Sequence, residues 1–387
     1  MRNPWTAPAR AIAAGACALA CATALATGAP AAAQPAPAAP GTPLSVEALP
    51  AAAAMPGAAG TARLLYTSTT VGDAPAPASA AVYFPAGQVP AGGWPVIAWA
   101  HGTVGLGDEC AYSVGGPAAV ERDRSYLGAW LEQGYAVVAA DYAGLGVPGE
   151  HPYLNGRVAA HNVVDAVRAA HTRYPELSNR WAVVGQSQGG GAAVFTARYA
   201  TEFGGPELDY RGAVATGLPA YLEEVFLALG PNVPPISLGD HLTAYVLYVL
   251  DGLRQSHPEL DVTGLLTDEG KEWLDRARTA CIEPFADELR GVAIGDLFAK
   301  PLASLPDAYG VLSRQMGLPE SGYDRPVFVG QGLYDKDVVT PQALRWAAVT
   351  AAKGEPIRLH TYFEDHSGAV NASLPDSTPF VRELFAG

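Results

Sequence analysis

Residues 181–194 read Trp181-Ala182-Val183-Val184-Gly185-Gln186-Ser187-Gln188-Gly189-Gly190-Gly191-Ala192-Ala193-Val194. The first four form an apolar, strand-favouring run, and the small residues from Gly190 onward suit a helix lying close against a sheet. Between them, Gly185-Gln186-Ser187-Gln188-Gly189 has to turn the chain from strand to helix within a few residues. A turn that sharp strains its central residue, and glycines two before and two after leave room for main chain to approach. The serine hydroxyl is thereby raised above a sheet edge. Gly-x-Ser-x-Gly alone is a weak signal, because a glycine-rich turn can carry an incidental serine. The strand before it and the helix after it make it specific.

Working outward, eight segments have strand character. Arg63–Thr70 and Ser79–Phe84 mix polar and apolar residues. Trp94–Ala100, Tyr135–Asp141 and Trp181–Gly185 are near-continuous apolar runs, and Gly212–Thr216, Pro326–Gly330 and Ile357–Phe363 complete the set. Continuous runs suit central strands covered on both faces, and the two mixed segments suit an antiparallel edge. Helical patterns lie between them: Arg124–Gln133, stopped by Gly134; Val158–Tyr174; and Gly189–Tyr199. Such alternation implies an α/β fold with a mostly parallel sheet and helices on both faces. It breaks after Leu218 and resumes near Pro326. His241–Gly252, Asp268–Ala280, Ile282–Gly291 and Ala308–Met316 are the clearest helices of that stretch. An excursion this long between two strands reads as a helical cap over the sheet's ligand-binding edge. Ala244–Leu250, apolar all round, reads either as a buried cap helix or as the wall of an apolar pocket, and both can hold.

A serine hydroxyl needs a base to take its proton, and an imidazole oriented by a carboxylate is the group suited to that near neutral pH. The strand Pro326–Gly330 runs into Gln331-Gly332-Leu333-Tyr334-Asp335-Lys336-Asp337, and the next strand ends at Glu364-Asp365-His366. Both loops leave the same carboxyl edge as Ser187, so His366 is the expected base. Asp335 is the favoured carboxylate, with Asp337 as alternative; Glu364 and Asp365 read as solvated strand-end residues. His360 reads as packed in mid-strand, and His161 and His171 as ordinary helix positions. Trp94–Ala100 runs into His101-Gly102-Thr103, a loop placed to hold an oxyanion. That assigns the backbone N–H groups of Thr103 (Val104 if the register slips by one) and Gln188. His101 reads as a support for this loop and not as a proton carrier. Gly144-Leu145-Gly146-Val147-Pro148-Gly149 matches a dinucleotide fingerprint, but prolines and irregular sequence follow where a helix should open. Paired histidines at helical spacing are missing, which argues against a metal site. Neither a cofactor nor a metal is expected.

The 387 residues are 49% apolar and 16% charged with a net charge of −14, which provides ample core and excludes a disordered chain. The acidic balance also argues against a nucleic-acid partner, whose phosphates attract Lys and Arg. No repeat with a period of 20 to 50 residues is visible, which sets solenoids and propellers aside. Residues 1–33 read as a signal peptide: Arg2 and Arg10 are the only charges before Glu47, Ala11 to Thr27 is uncharged, and Ala31-Ala32-Ala33 offers small residues for cleavage. A membrane anchor is the plainer alternative, though alanine is only weakly hydrophobic. Cleavage would remove two arginines and no acid, taking the charge from −14 to −16, and would remove Cys17 and Cys21. The remaining Cys110 and Cys281 then read as one disulfide in an oxidising compartment, or as two separate buried thiols. The expected organisation is signal peptide 1–33, Ala/Pro-rich leader 34–60, core 61–218, helical cap 219–325 and core again 326–387. The expected protein is secreted, lacks an integral membrane span once mature, and has an ester as its small-molecule or lipid partner.

Several stretches together resemble one family. They are Ala98-Trp99-Ala100-His101-Gly102-Thr103, Cys110-Ala111-Tyr112-Ser113, Asp141–Gly146, His151-Pro152-Tyr153-Leu154, Gly185–Gly190, Gly332–Val338 and His366-Ser367-Gly368. With the chain order Ser, Asp, His, the sequence is similar to the secretory lipases of the α/β-hydrolase superfamily. The resemblance implies an α/β-hydrolase fold with an eight-stranded core and a large helical cap inserted after the sixth strand. It carries a Ser-Asp-His triad onto Ser187, Asp335 and His366, and pairs Cys110 with Cys281 in the cap. The implied activity is cofactor-free carboxylic-ester hydrolysis through an acyl-enzyme. A peptidase or acyltransferase on the same triad, or a non-catalytic binding protein on the same scaffold, are the alternatives.

Overall fold

The computed structural model describes residues 38–234 and 241–386; the expected signal peptide 1–33, with Cys17 and Cys21, lies outside them. One sheet of nine strands organises the described residues, in the order β1-β2-β3-β5-β4-β6-β7-β8-β9. The strands are β1 Pro43–Glu47, β2 Ala58–Thr69, β3 Pro75–Pro85, β4 Trp94–Ala100, β5 Ala136–Ala140, β6 Leu177–Gln186, β7 Asp209–Thr216, β8 Val327–Gly332 and β9 Ile357–Tyr362. β1, β2 and β3 pair antiparallel and β3 joins β5 antiparallel; every later pairing is parallel. The sheet thus has one strand more than expected. β1 falls inside the stretch read as a leader, because its Pro-Leu-Ser-Val-Glu sequence is too short and too mixed to announce a strand. Its backbone pairs with β2, and Glu47 also accepts a hydrogen bond from Arg63 on β2.

Three helices follow the early crossovers: α1 Val120–Glu132, α2 Gly156–Arg173 and α3 Gln188–Gly204. Between β7 and β8 lie α4 Leu222–Phe226, α5 Leu242–Ser256, α6 Asp268–Ala277, α7 Ile282–Glu288 and α8 Ala308–Met316. α9 Thr340–Ala352 links β8 to β9, and α10 Gly368–Ala372 and α11 Leu374–Ala386 close the chain. The helical excursion leaves the segment counted as the sixth strand in sequence, which is the seventh in space once β1 is included. Right-handed crossovers in both directions from β4 place α1 on one face and α2, α3 and α9 on the other. Covered on both faces, β4, β5, β6 and β7 bury nearly every residue, including Trp99 and Trp181, which explains their continuous apolar sequence.

The excursion has a second hydrophobic cluster of its own, including Leu247, Tyr248, Leu253, Phe285 and Leu297. α5 serves both purposes expected of its apolar sequence: Leu247, Tyr248 and Leu250 are buried in that cluster, and Tyr245 and Val249 line a cavity beside Ser187. Cys110 and Cys281 form a disulfide across 171 residues, settling the choice left open between a bridge and two thiols. Gly105 and Cys281 also pair as an isolated bridge, so the excursion is stitched to the loop after β4.

Candidate functional site

The order of strands reverses at β4, which has β5 on one side and β6 on the other, and in such sheets ligands bind in the crevice at the carboxyl ends. Ala100 pairs with Gly185, so the loop after β4 and the turn after β6 emerge side by side. Ser187 has φ 57° and ψ −122°, a backbone conformation that costs a non-glycine residue on the order of 1–3 kcal/mol. The neighbouring glycines make it possible. A Cβ on Gly185 would lie 2.0 Å from the Gly189 carbonyl oxygen, and one on Gly189 would lie 1.8 Å from that of Ala100. Ser187 N–H donates to the Thr216 carbonyl (3.0 Å), fixing the turn to the end of β7.

The next two strand ends bring a carboxylate and an imidazole together. Leu333 N–H donates to Tyr362 and Tyr334 N–H to Glu364, which ties the loop after β8 to the loop after β9. Asp335 Oδ2 accepts from His366 Nδ1 (2.7 Å) and from Gln331 Nε2 (3.1 Å), while Oδ1 accepts from the N–H groups of Asp337 and Val338 (both 3.0 Å). Asp335 is therefore the carboxylate brought to His366; Asp337 contributes its main chain to that arrangement and turns towards the cavity instead. Asp365, expected only as a solvated residue, caps the turn by accepting from Ser367 and Gly368 N–H (3.1 and 2.7 Å). Asp335, Asp337 and His366 bring potential ligand atoms within 4.8 Å of one another, but Asp335 already uses both oxygens in hydrogen bonds.

With Nδ1–H donating to Asp335, the lone pair of His366 is on Nε2, the form a general base requires. Gln186 Nε2 donates to it at 2.9 Å. Ser187 and His366 line the same cavity, and no hydrogen bond joins them in this structure.

Thr103 sits in the loop after β4 beside Ser187, and Gln188 opens α3, where a backbone N–H has no intrahelical partner. Both side chains are held from one segment. Thr103 Oγ1 bonds the Tyr153 hydroxyl (2.6 Å), and Gln188 Nε2 donates to His151 Nε2 (3.0 Å), whose Nδ1–H donates to the Ala143 carbonyl (3.1 Å). His101, with Nδ1 on the Gly102 carbonyl, is enclosed between the Tyr112 and Tyr142 rings. Burial pushes His101 and His151 down to about 4, so both are neutral near pH 7. His360 stacks on Phe328, His161 on Phe203, and His171 bonds the Leu177 carbonyl, all away from the site. Gly144–Gly149 forms a loop that folds back on Glu150 and opens no helix.

Gln186, Gln331, His151 and Tyr153 were not singled out as functional from sequence. Gln186 precedes the nucleophile and Gln331 lies four residues before Asp335, so proximity was an available signal. His151 and Tyr153 belong to a family-like stretch, but their partners are 37 and 50 residues away.

Two cavities meet at Ser187. One, about 130 Å³, contains His366 and the polar side chains of Arg122, His241, Glu283 and Asp337. The other, about 40 Å³, contains Gln188 and the apolar Leu154, Pro219, Leu222, Phe226 and Val249.

A family model described as secretory lipase matches residues 116–315, from just before α1 to the end of α8. This chain belongs to the secretory lipase family. As a member it is a carboxylic-ester hydrolase of the lipase/esterase class, with an ester as substrate. Its fold is similar to that of Candida antarctica lipase A in its closed state, at 21% identity and a TM-score of 0.70, covering 90% of this chain and 83% of that one. It is also similar to the rice cell wall degrading esterase LipA from Xanthomonas oryzae, at 21% identity and a TM-score of 0.69, covering 89% and 98%. A ligand-bound form of that esterase gives a TM-score of 0.66 at 20% identity, covering 87% and 95%. No curated protein sequence matches the chain. No helix among the described residues of this secretory lipase is long and apolar enough to cross a membrane.

Proposed function

We propose that this family member hydrolyses esters through a triad of Ser187, His366 and Asp335, with the Thr103 and Gln188 N–H groups as oxyanion hole. The reading is carried by the 2.7 Å contact of His366 Nδ1 with a fully hydrogen-bonded Asp335, which leaves the Nε2 lone pair in the cavity that holds the strained Ser187. Gln186 gives up its hydrogen bond to Nε2 as the Ser187 hydroxyl engages it; such contacts commonly tighten only when substrate is present. Ser187 Oγ attacks the ester carbonyl as His366 takes its proton, and the Asp335 carboxylate stabilises the resulting imidazolium. His366 then protonates the departing alkoxide, and water, deprotonated by the same histidine, releases the acid and regenerates Ser187. The scheme uses no metal or organic cofactor.

The proton destined for the alcohol comes from His366, so the alcohol part of the ester occupies the polar cavity containing that residue. The acyl part occupies the apolar cavity beside Gln188. Replacing Ser187 by Ala should lower hydrolysis of p-nitrophenyl acetate and butyrate by about 10⁴-fold or more while thermal unfolding stays nearly unchanged. Retained turnover would overturn the triad.

Residues 219–325 act in this reading as a cap on a core made of 61–218 and 326–387, to which β1 is added. Residues 1–33 serve as a cleaved export signal, in keeping with the disulfide. The exported protein's intact mass should correspond to a chain beginning near residue 34; a mass that includes residues 1–33 would reject cleavage.

A further inference from the structure

The cap touches the loops that carry both oxyanion-hole residues. On one side, Ile282 N–H at the start of α7 donates to the Val104 carbonyl (2.9 Å) and Leu106 N–H donates to Ala280 (3.2 Å), immediately beyond Thr103. On the other, the segment from Glu150 to Tyr153 is gripped by α5 and α8. Gln315 Nε2 on α8 donates to the Tyr153 carbonyl (3.1 Å), and the Tyr248 ring of α5 meets the Tyr153 ring edge-on at 5.7 Å. Gly252 permits this seat, since a Cβ there would lie 2.6 Å from the Tyr153 carbonyl oxygen and 3.0 Å from its nitrogen. Glu150 accepts from Arg254, the last basic residue of α5, and from Arg278 just past α6. Tyr153 in turn bonds the Thr103 hydroxyl, and His151, two residues earlier, bonds the Gln188 amide.

We infer that the cap positions the oxyanion hole, with Tyr153 as the positioning residue that passes the seating of α5 and α8 to Thr103. The inference rests on the assignment of Thr103 and Gln188 made above. Its chemistry follows from the geometry. An N–H stabilises a developing oxyanion only when it is aimed at the position the oxygen reaches in the transition state, and a donor fixed before reaction needs no reorganisation. Thr103 lies in a loop outside any strand or helix, so no strand or helix ladder constrains its orientation. The Tyr153 hydroxyl on one side and the Val104 contact to α7 on the other supply that constraint. Gln315 lines neither of the two cavities that meet at Ser187, and its one side-chain hydrogen bond among the described residues is to the Tyr153 carbonyl, so Tyr153 is its direct route to the site.

The experiment compares Tyr153→Phe, Gln315→Met and the double variant in the full chain, using p-nitrophenyl butyrate and a trifluoromethyl ketone that forms a tetrahedral oxyanion on the serine. Tyr153→Phe should lower kcat about tenfold with KM changed less than about twofold, and should weaken ketone binding in parallel. Gln315→Met should lower kcat by a smaller factor, about threefold, and the double variant should be no worse than Tyr153→Phe within about twofold, because both act on one contact. A purely structural role would instead lower the unfolding temperature and leave kcat per active site unchanged, which would overturn the inference. So would multiplicative losses in the double variant, or a Tyr153→Phe effect confined to KM. The Ser187→Ala variant separates the two levels: if it is inactive while Tyr153→Phe retains full kcat, the triad stands and the positioning role falls.

Discussion

The sheet and the cap solve the packing problem in different ways. In the sheet, strands covered on both faces bury almost every side chain, and the charged groups at its centre sit in shared hydrogen-bond networks. Asp141 illustrates this: it accepts from Ser79 Oγ and from Ser113 N–H, and Arg63 reaches Ser113, Ser79 and the Gly146 carbonyl around it. The cap is a set of short amphipathic helices around its own apolar cluster, separate from that of the sheet. The ties that seat it include the disulfide, the Val104 and Leu106 hydrogen bonds, the Tyr153 clamp, the ion pairs of Glu150 and the pairing of Glu224 with Arg345 on α9. The difference divides the labour. The sheet fixes where Ser187, Asp335 and His366 sit, and the cap, resting on contacts that can be removed singly, shapes the cavities around them.

The largest effect should come from the sheet side. Asp335→Asn should lower kcat about 10⁴-fold, since the amide no longer favours the tautomer with Nε2 unprotonated, while Asp337→Asn should cost less than about tenfold. Similar losses in both variants, measured on one ester, would show that the two carboxylates share the role.

A smaller effect is expected at the seam between the regions. Replacing Cys110 and Cys281 together by Ser removes the bridge and should lower unfolding stability by about 2–5 kcal/mol in urea. Because Cys281 adjoins the residue bonded to Val104, kcat should fall as well, before the sheet unfolds. An unchanged urea midpoint would mean that the cap holds its seat without the bridge.

The smallest is the pH response of the core. His101 and His151 are pushed from 6.5 down to about 4 by burial, so between those values the unfolded chain binds more protons and stability falls as pH drops. Asp141 and Asp165 are pushed up from 3.8 to about 6, chiefly by burial, so the folded chain binds more protons in that window and their effect is opposite. The two pairs oppose each other, and the unfolding temperature should change little from pH 6 to 4. His151→Gln removes one destabilising member, so acidification should then favour the folded state more than in the parent. Parallel curves for the two proteins would contradict the neutral, buried state of His151.

Much of this was legible along the chain. Trp94–Ala100 and Ala308–Met316 were read with their observed limits, because an apolar run bounded by turn residues and a helical period are both local signals. The Ser187 turn was legible for the same reason. β1 was not, since five mixed residues become a strand only by pairing with β2. Asp335 and Asp337 could not be separated along the chain, being two residues apart in one loop. Their roles differ because Gln331, Asp337 N–H and Val338 N–H converge on Asp335 alone.

The sequence by itself determined the alternation of strands and helices, the strained serine turn and the order in which the aspartate loop and His366 follow it. These are short-range patterns, written within a dozen residues by periodicity and by glycine. Only the tertiary structure decided which groups hold the site residues: Gln186 on His366, 180 residues apart, Tyr153 on Thr103, and the cap on Tyr153. A hydrogen bond needs its partners within about 3 Å, and for residues so distant along the chain that proximity is set by how the sheet and the cap pack, which no local pattern encodes.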